Sequence, residues 1–246
     1  MRLFRLGGLI ILAALTLGAA AASAQNPKDI AAYQEAAGWD MPLYRGKQFV
    51  TYSYRYNGTY FWDNGGFRKG SIFYGGKLYQ DVTMNIDAFR QVLCVRYENR
   101  IQTWELDRNL VEWAMFGDKK VVNLRACGIS KAPEGFFEVI HEGKECVYRQ
   151  VNKNYVESLS ASGYSRIGYE DPDYNENIFV FFAYSESFYF LDKNGKFEKF
   201  SSRNYLIKKH PELKKPLRAQ IKSNRWGDLP LDLWCKLVMN YIESAK

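Results

Sequence analysis

The sequence predicts a mainly β fold: an antiparallel meander forming a curved sheet or partly closed barrel, with short helices at the N-terminus and C-terminus. Three observations carry this reading. Runs with a two-residue apolar repeat succeed one another from Lys47 to about Phe200. Glycine-bearing turns separate them, and no helical period intervenes, so short connections should join antiparallel neighbours. Helix signals gather before Gly38 and after Ser201.

The elements follow in chain order. MRLFRLGGLIILAALTLGAAAASAQ places Arg2 and Arg5 ahead of an apolar run from Leu6 to Leu17, and small residues close on Ala22-Ser23-Ala24. This is the layout of a secretory signal peptide cleaved after Ala24, with an apolar run too short to span a bilayer. The expected organisation is therefore residues 1–24 as signal peptide, 25–46 as an N-terminal helix and lead-in, 47–200 as the β domain and 201–246 as C-terminal helices packed on the sheet. No transmembrane segment is expected after cleavage. The protein is expected to be periplasmic or secreted.

Asn26-Pro27 can cap and start a short helix that Gly38 ends. In QFVTYSYRYNGTYFW, Val50, Tyr52, Tyr54 and Tyr56 alternate with Thr51, Ser53 and Arg55, which predicts a half-buried strand before a tight turn at Asn57-Gly58. Three later hairpins carry Gly-Lys at the bend: Gly76-Lys77, Gly143-Lys144 and Gly195-Lys196. Between the first two lie the predicted strands RIQTWEL, VEWAMF and VVNLRAC. Residues 158–177 are poor in aliphatics and read as an exposed loop. After Ser201-Ser202, Pro211 and Pro216 divide the chain into two short helices, each proline confined to a first turn. A last helix spans Leu231 to Ser244, with Leu233, Leu237, Val238 and Tyr241 expected on its buried face.

Loss of Arg2 and Arg5 lowers the formal charge from +7 to +5, a mild excess that selects no partner. Lys208, Lys209, Lys214, Lys215, Arg218, Lys222 and Arg225 alternate with Leu206, Ile207, Leu213, Leu217 and Ile221, the last three at every fourth position. The apolar stripe should dock on the sheet and leave Lys214, Lys215, Arg218 and Lys222 as a solvated basic surface. Contact with acidic envelope polymer or anionic headgroups is the functional alternative. No nucleic-acid partner is expected: the bases lack interleaved aromatics and the chain is read as exported.

Four cysteines allow three pairings, and Cys127 with Cys146 is the expected disulfide because each falls on a predicted strand. No CxxC spacing exists and the chain has 2 histidines, so no metal or cofactor is called for. The acidic stretch from Glu170 to Asn177 alternates oxygen ligands, but Glu176 stands where a calcium loop needs glycine and Phe182 where it needs an acid. GYSRIG around Ser165 lacks the second glycine of a nucleophile elbow, and His141 beside a hairpin turn reads as a surface residue. Asp81, Asp87 and Glu138 are available to a carboxylate hydrolase, but nothing singles out a pair. No catalytic residue is assigned.

Aromatic residues make up 16% of the chain, and Tyr52, Tyr54, Tyr56 and Trp62 form a bank that could stack on sugar rings if its face is exposed. The favoured reading is the buried side of a sheet, since aromatics suit strands and one sheet face must be buried.

The blocks GSIFYGGKLYQDVTMNIDAF, GFFEVIHEGK and YFLDKNGKFEKFSSRNYLIKKHPELKKPLRAQIKSN, taken in order, resemble a group of uncharacterised secreted proteins of Bacteroidetes-type bacteria. The likeness covers most of the chain after Lys47 and departs at Asn85-Ile86-Asp87, where the group has Tyr-Asp. It implies export and a strand-rich body with terminal helices, and it brings no activity or catalytic residue. The function expected is a non-enzymatic secreted or periplasmic envelope protein that binds another protein or a surface polymer. The alternatives are a glycan-binding module using the exposed aromatic strand face and a carboxylate-based hydrolase.

Overall fold

The computed structural model describes residues 26–53, 55–62, 66–97, 100–157 and 180–245. The leader, Tyr54, the loop at 158–177 with its acidic stretch, and Ser165 lie outside them. The described chain is mainly β: an open, wholly antiparallel sheet of eleven strands in the order β1-β5-β4-β3-β2-β6-β7-β8-β9-β10-β11, with helices at both ends. Its strands are β1 (Lys47–Gln48), β2 (Arg68–Tyr74), β3 (Lys77–Asp87), β4 (Val92–Arg96), β5 (Thr103–Glu105), β6 (Val111–Phe116), β7 (Lys119–Val122), β8 (Phe137–His141), β9 (Cys146–Glu157), β10 (Val180–Leu191) and β11 (Phe197–Phe200). No described helix is long and apolar enough to cross a membrane.

The turn chemistry acts as the sequence predicts. Gly75 and Gly76 adopt φ of 56° and 76° and join β2 to β3 with Tyr74 facing Lys77, the left-handed pair that a two-residue hairpin needs. From β6 onward the strands run across the sheet in chain order, a true meander. The N-terminal half departs from it, because β1 pairs with β5 and β6 takes the free edge of β2. The link from β5 to β6 is Leu106 to Leu110, of which Arg108–Leu110 is a 3-10 turn. Three extended steps and three 3-10 steps reach about 16 Å, whereas four strand spacings in a flat sheet are about 19 Å. The sheet must therefore curl between β5 and β6.

The expected strand around Tyr52 does not form. Only Lys47–Gln48 pairs in a ladder, and Val50, which should have faced the core, is 69% exposed. Rings rather than an alternating ladder organise this stretch: Phe49 N–H donates to Thr103 O and Asn57 N–H to Val180 O, while Tyr52 and Tyr56 pack on Tyr60 and Phe182. Asn57 also bridges Phe181 of β10, tying one end of the sheet toward the other.

The N-terminal helix α1 (Pro27–Ala37) is capped by Asn26, whose side chain accepts from Lys28 N–H. Its Gln34 amide pairs with both backbone groups of Gln80 on β3, at 2.7 and 2.8 Å. Three helices close the other end: α2 (Arg203–Lys209), α3 (Lys214–Ser223) and α4 (Leu231–Ser244). They cover a core built from Val147, Phe188, Phe190 and Phe200 of the sheet and Leu206, Leu217, Trp234 and Met239 of the helices. The buried face of α4 is Trp234, Cys235, Val238, Met239 and Ile242, so it is rotated from the expected one, and Leu233 is 49% exposed. The bulk of Trp234 decides this rotation, since burying it removes more apolar area from water than burying Leu233.

The expected disulfide is absent: all four cysteines are free thiols. Cys127 lies in a turn after β7 rather than on a strand, and its Sγ faces Glu112 O, while Cys146 Sγ faces Gly143 O. His141 does sit beside the β8–β9 turn, yet it is buried, held by Asn240 at 3.1 Å and Glu243 at 3.4 Å from α4.

Candidate functional site

The aromatic bank divides between two cores. Tyr52 and Tyr56, both half-buried, join Phe49, Tyr60, Phe61 and Phe182, with ring centroids 4.8 Å apart for Tyr52 and Tyr60 and 5.1 Å for Tyr56 and Phe182. Trp62 packs instead on Phe116 of β6, with Lys119 Nζ 5.1 Å from its ring. Tyr54 lies outside the described residues. Tyr52, Tyr56 and Trp62 therefore do not form one continuous platform; the rings of the first two are largely committed to one another's neighbours.

Beneath these rings lies a charged centre. Asp87, fully buried, accepts from Phe89 N–H and Arg90 N–H at 2.9 Å, from Arg90 Nε at 2.8 Å and from the Tyr52 hydroxyl at 3.2 Å. Arg90 continues to Glu105 at 2.7 Å and lies 4.6 Å from the Phe49 ring centroid. Burial works against the Arg90 charge, but Asp87 and Glu105 more than offset it and hold the guanidinium more firmly protonated than usual. Burial also pushes the neighbouring Cys94 thiol up, and Asp87 adds to that shift. The Asp87 carboxylate is thus engaged from four directions and fastens the β3–β4 turn. Glu138 is likewise engaged, by Arg149 Nε at 2.9 Å, and Arg149 also meets Asp232 of α4 at 3.0 Å. Asp81 is exposed, at φ 52°. The three candidate carboxylates share no partner, and two of them are held by arginines of their own.

The basic surface has a different character. Pro216 falls in the first turn of α3, Leu217 is fully buried, and Leu213 and Ile221 pack beside it, so the apolar stripe docks as its spacing predicts. Lys214, Lys215, Arg218 and Lys222 are exposed, and Arg225 follows, exposed at φ 54°. Lys214, Arg218 and Lys222 recur at every fourth position and form one ridge, with about 6 Å between neighbours. Elsewhere cations meet acids: Lys120 with Glu142, Arg108 and Arg125 with Glu134, Lys196 and Lys209 with Glu198. Among the described residues the ridge makes no ion pair, and the sequence from Leu213 to Gly227 contains no acid.

This arrangement works against the helix that carries it. Like charges at i and i+4 cost about 0.2 to 0.5 kcal/mol per pair. Lys214 and Lys215 also stand in the first turn, where the helix dipole favours acids and none is present. Lys222 in the last turn suits the dipole, but helix stability does not account for Lys214 and Lys215. These residues lie on the exposed face that the apolar spacing predicts; what the sequence could not weigh was that they make no ion pair among the described residues. No family model, curated protein or solved structure matches the chain.

Proposed function

We propose that this is a non-enzymatic envelope protein, exported by its N-terminal leader, that holds an acidic surface polymer against the exposed face of α3. The observation that carries the reading is the ridge of Lys214, Arg218 and Lys222 with Lys215 beside it: like charges at helical spacing that face solvent and make no ion pair among the described residues. The buried Leu217 fixes the ridge on a rigid support, so a polyanion meets a preformed row of charge rather than flexible tails. The resemblance to secreted proteins of Bacteroidetes-type bacteria supports the location.

The test compares the mature chain, residues 25–246, with the variant carrying Lys214→Glu, Lys215→Glu and Lys222→Glu, on immobilised polygalacturonate and on isolated envelopes. Near a dense anionic surface each cation contributes about 1 kcal/mol, so losing three attractions weakens binding about 100-fold or more. High salt should weaken the parent in the same direction, while the melting temperature should not fall, because all three side chains are exposed and acids at 214 and 215 suit the first turn of the helix. Equal binding by both proteins overturns the proposal. Capture of an envelope protein in place of polymer, lost in the same variant, would reassign the face to a protein partner.

A further inference from the structure

A second site lies between the β5–β6 link and the turn before β8. A cleft of about 340 Å³ is lined by Glu105, Arg108, Asn123, Arg125, Glu134 and Gly135, among others. Its volume falls at the small end of ligand-pocket sizes. Two guanidinium groups converge there on one carboxylate: Arg108 Nη1 donates to Glu134 Oε2 and Arg125 Nη1 to Glu134 Oε1, each at 2.9 Å. The Glu134 side chain is nevertheless 65% exposed.

The surrounding scaffold is firm. Gln150 Nε2 donates to Glu134 O at 2.7 Å, and Phe136 N–H donates to Gln91 Oε1 at 3.1 Å. Gly135 between them adopts φ 115°, and a Cβ there would meet Gln91 Oε1 at 2.2 Å. On the opposite wall, buried Asn123 donates to Arg108 O at 2.7 Å, and Arg125 Nε donates to Ala132 O at 2.8 Å. The backbone under the three charges is thus fixed, and the Glu134 side chain is the part free to leave. Arg108 Nη2 donates to Arg90 O at 3.1 Å, which leaves Nη1 as the group Arg108 turns to the carboxylate position. The other acid in the cleft, Glu105, is held by Arg90 at 2.7 Å and Lys47 at 3.5 Å, so it is not available to replace Glu134 once that side chain moves away.

We propose that the cleft binds a small carboxylate, with Glu134 occupying the carboxylate position in the unliganded protein. The incoming group displaces Glu134 into solvent and takes the facing Nη1–H groups of Arg108 and Arg125. Planar two-oxygen recognition by guanidinium suits a carboxylate, and a uronic acid and a peptide C-terminus share that group.

The experiment titrates galacturonate, its methyl ester and acetyl-diglycine into the purified protein and its Glu134→Gln variant, followed by calorimetry and by the arginine Nε–H resonances. Glu134→Gln removes an intramolecular competitor, so affinity for the free carboxylates should rise about tenfold over the parent. The ester should not bind. Arg125→Gln in the Glu134→Gln background should abolish the gain, and because Arg125 is 46% exposed this variant should stay folded. Preference for galacturonate or for the peptide identifies the source of the carboxylate. Failure of both acids to bind either protein, or equal affinities for parent and Glu134→Gln, overturns the assignment. The α3 ridge is untouched by these variants, so the two proposals stand or fall separately.

Discussion

Replacing Gly70 with alanine should cost about 3 to 5 kcal/mol, and the reason is a single backbone oxygen. Gly70 lies in β2 opposite Phe116 of β6 and Val82 of β3, where the β2–β3 register breaks before Ile72. A Cβ there would lie 1.9 Å from Met115 O and 2.8 Å from Met84 Cε. The methionine end can swing aside, but the carbonyl belongs to β6 and moves only with its strand. Restoring a separation of 3.0 Å means opening β2 from β6 by about 1.1 Å. That disturbs neighbouring ladder hydrogen bonds at about 1 kcal/mol each and loosens the buried layer around Ile72, Met84 and Ala114, where poor packing adds a further 1 to 3 kcal/mol. Gly75→Ala is the control: its φ is 56° but nothing lies within 4 Å of the added atom, so only the left-handed backbone opposes it, at about 1 kcal/mol. Urea unfolding of the three proteins, with midpoints compared at constant slope, measures both. A Gly70→Ala loss no greater than that of Gly75→Ala would refute the steric argument.

Other outcomes follow from the same geometry. The Glu198 carboxylate, bonded by Lys196, Lys209 and Tyr205, is held down to about 2 from an ordinary 4.5. Because its folded value is the lower one, its contribution to stability is present above pH 4.5 and is lost as pH falls toward 2. Carboxyl-carbon NMR should place its midpoint there, and Lys209→Met should move it upward; a midpoint near 4.5 in the parent contradicts the bonding. On α4, Trp234→Ala should cost about 3 to 5 kcal/mol and Leu233→Ala less than about 0.5, an order that reverses if the expected helix face were the buried one. Burial pushes the Cys127 thiol up to about 11 and Cys235 to about 12. Thiol reagent at pH 8 should therefore react slowly with the native protein and label all four cysteines after unfolding without reductant; two labelled cysteines would reveal a bridge.

The sequence made local geometry legible wherever one residue type is required by one conformation. Asn26 before Pro27 marks a helix start because only a short polar side chain reaches back to the freed N–H, and Gly75-Gly76 marks a bend because both positions need positive φ. The stripe of Leu213, Leu217 and Ile221 fixed the orientation of α3 and, with it, the exposed ridge. Alternation misled at Tyr52, where rings bury by stacking on Tyr60 and Phe182 and leave the backbone irregular. Nothing local could place β6 beside β2, since that choice depends on which strand edge remains open after β3 and β4 pair. The cleft was invisible for the same reason: Arg108, Arg125 and Glu134 have no common period, and it takes the curl of the sheet and the turn at Gly135 to bring them together.

That curl leaves the sheet divided into two leaves. Strands β1 to β5 form one and β6 to β11 the other, and β2–β6 is the only ladder between them among the described residues. Gly70 lies on this seam, while Lys153 N–H to Ala88 O and Gln91 Nε2 to Val151 O act as a clasp elsewhere. A copy in which the seam parts presents a β2 edge and a β6 edge whose side chains already fit each other. Two such copies meeting at high concentration can trade leaves and rebuild both seams with no new contact surface. The link from Leu106 to Leu110 is the hinge about which the two leaves would part.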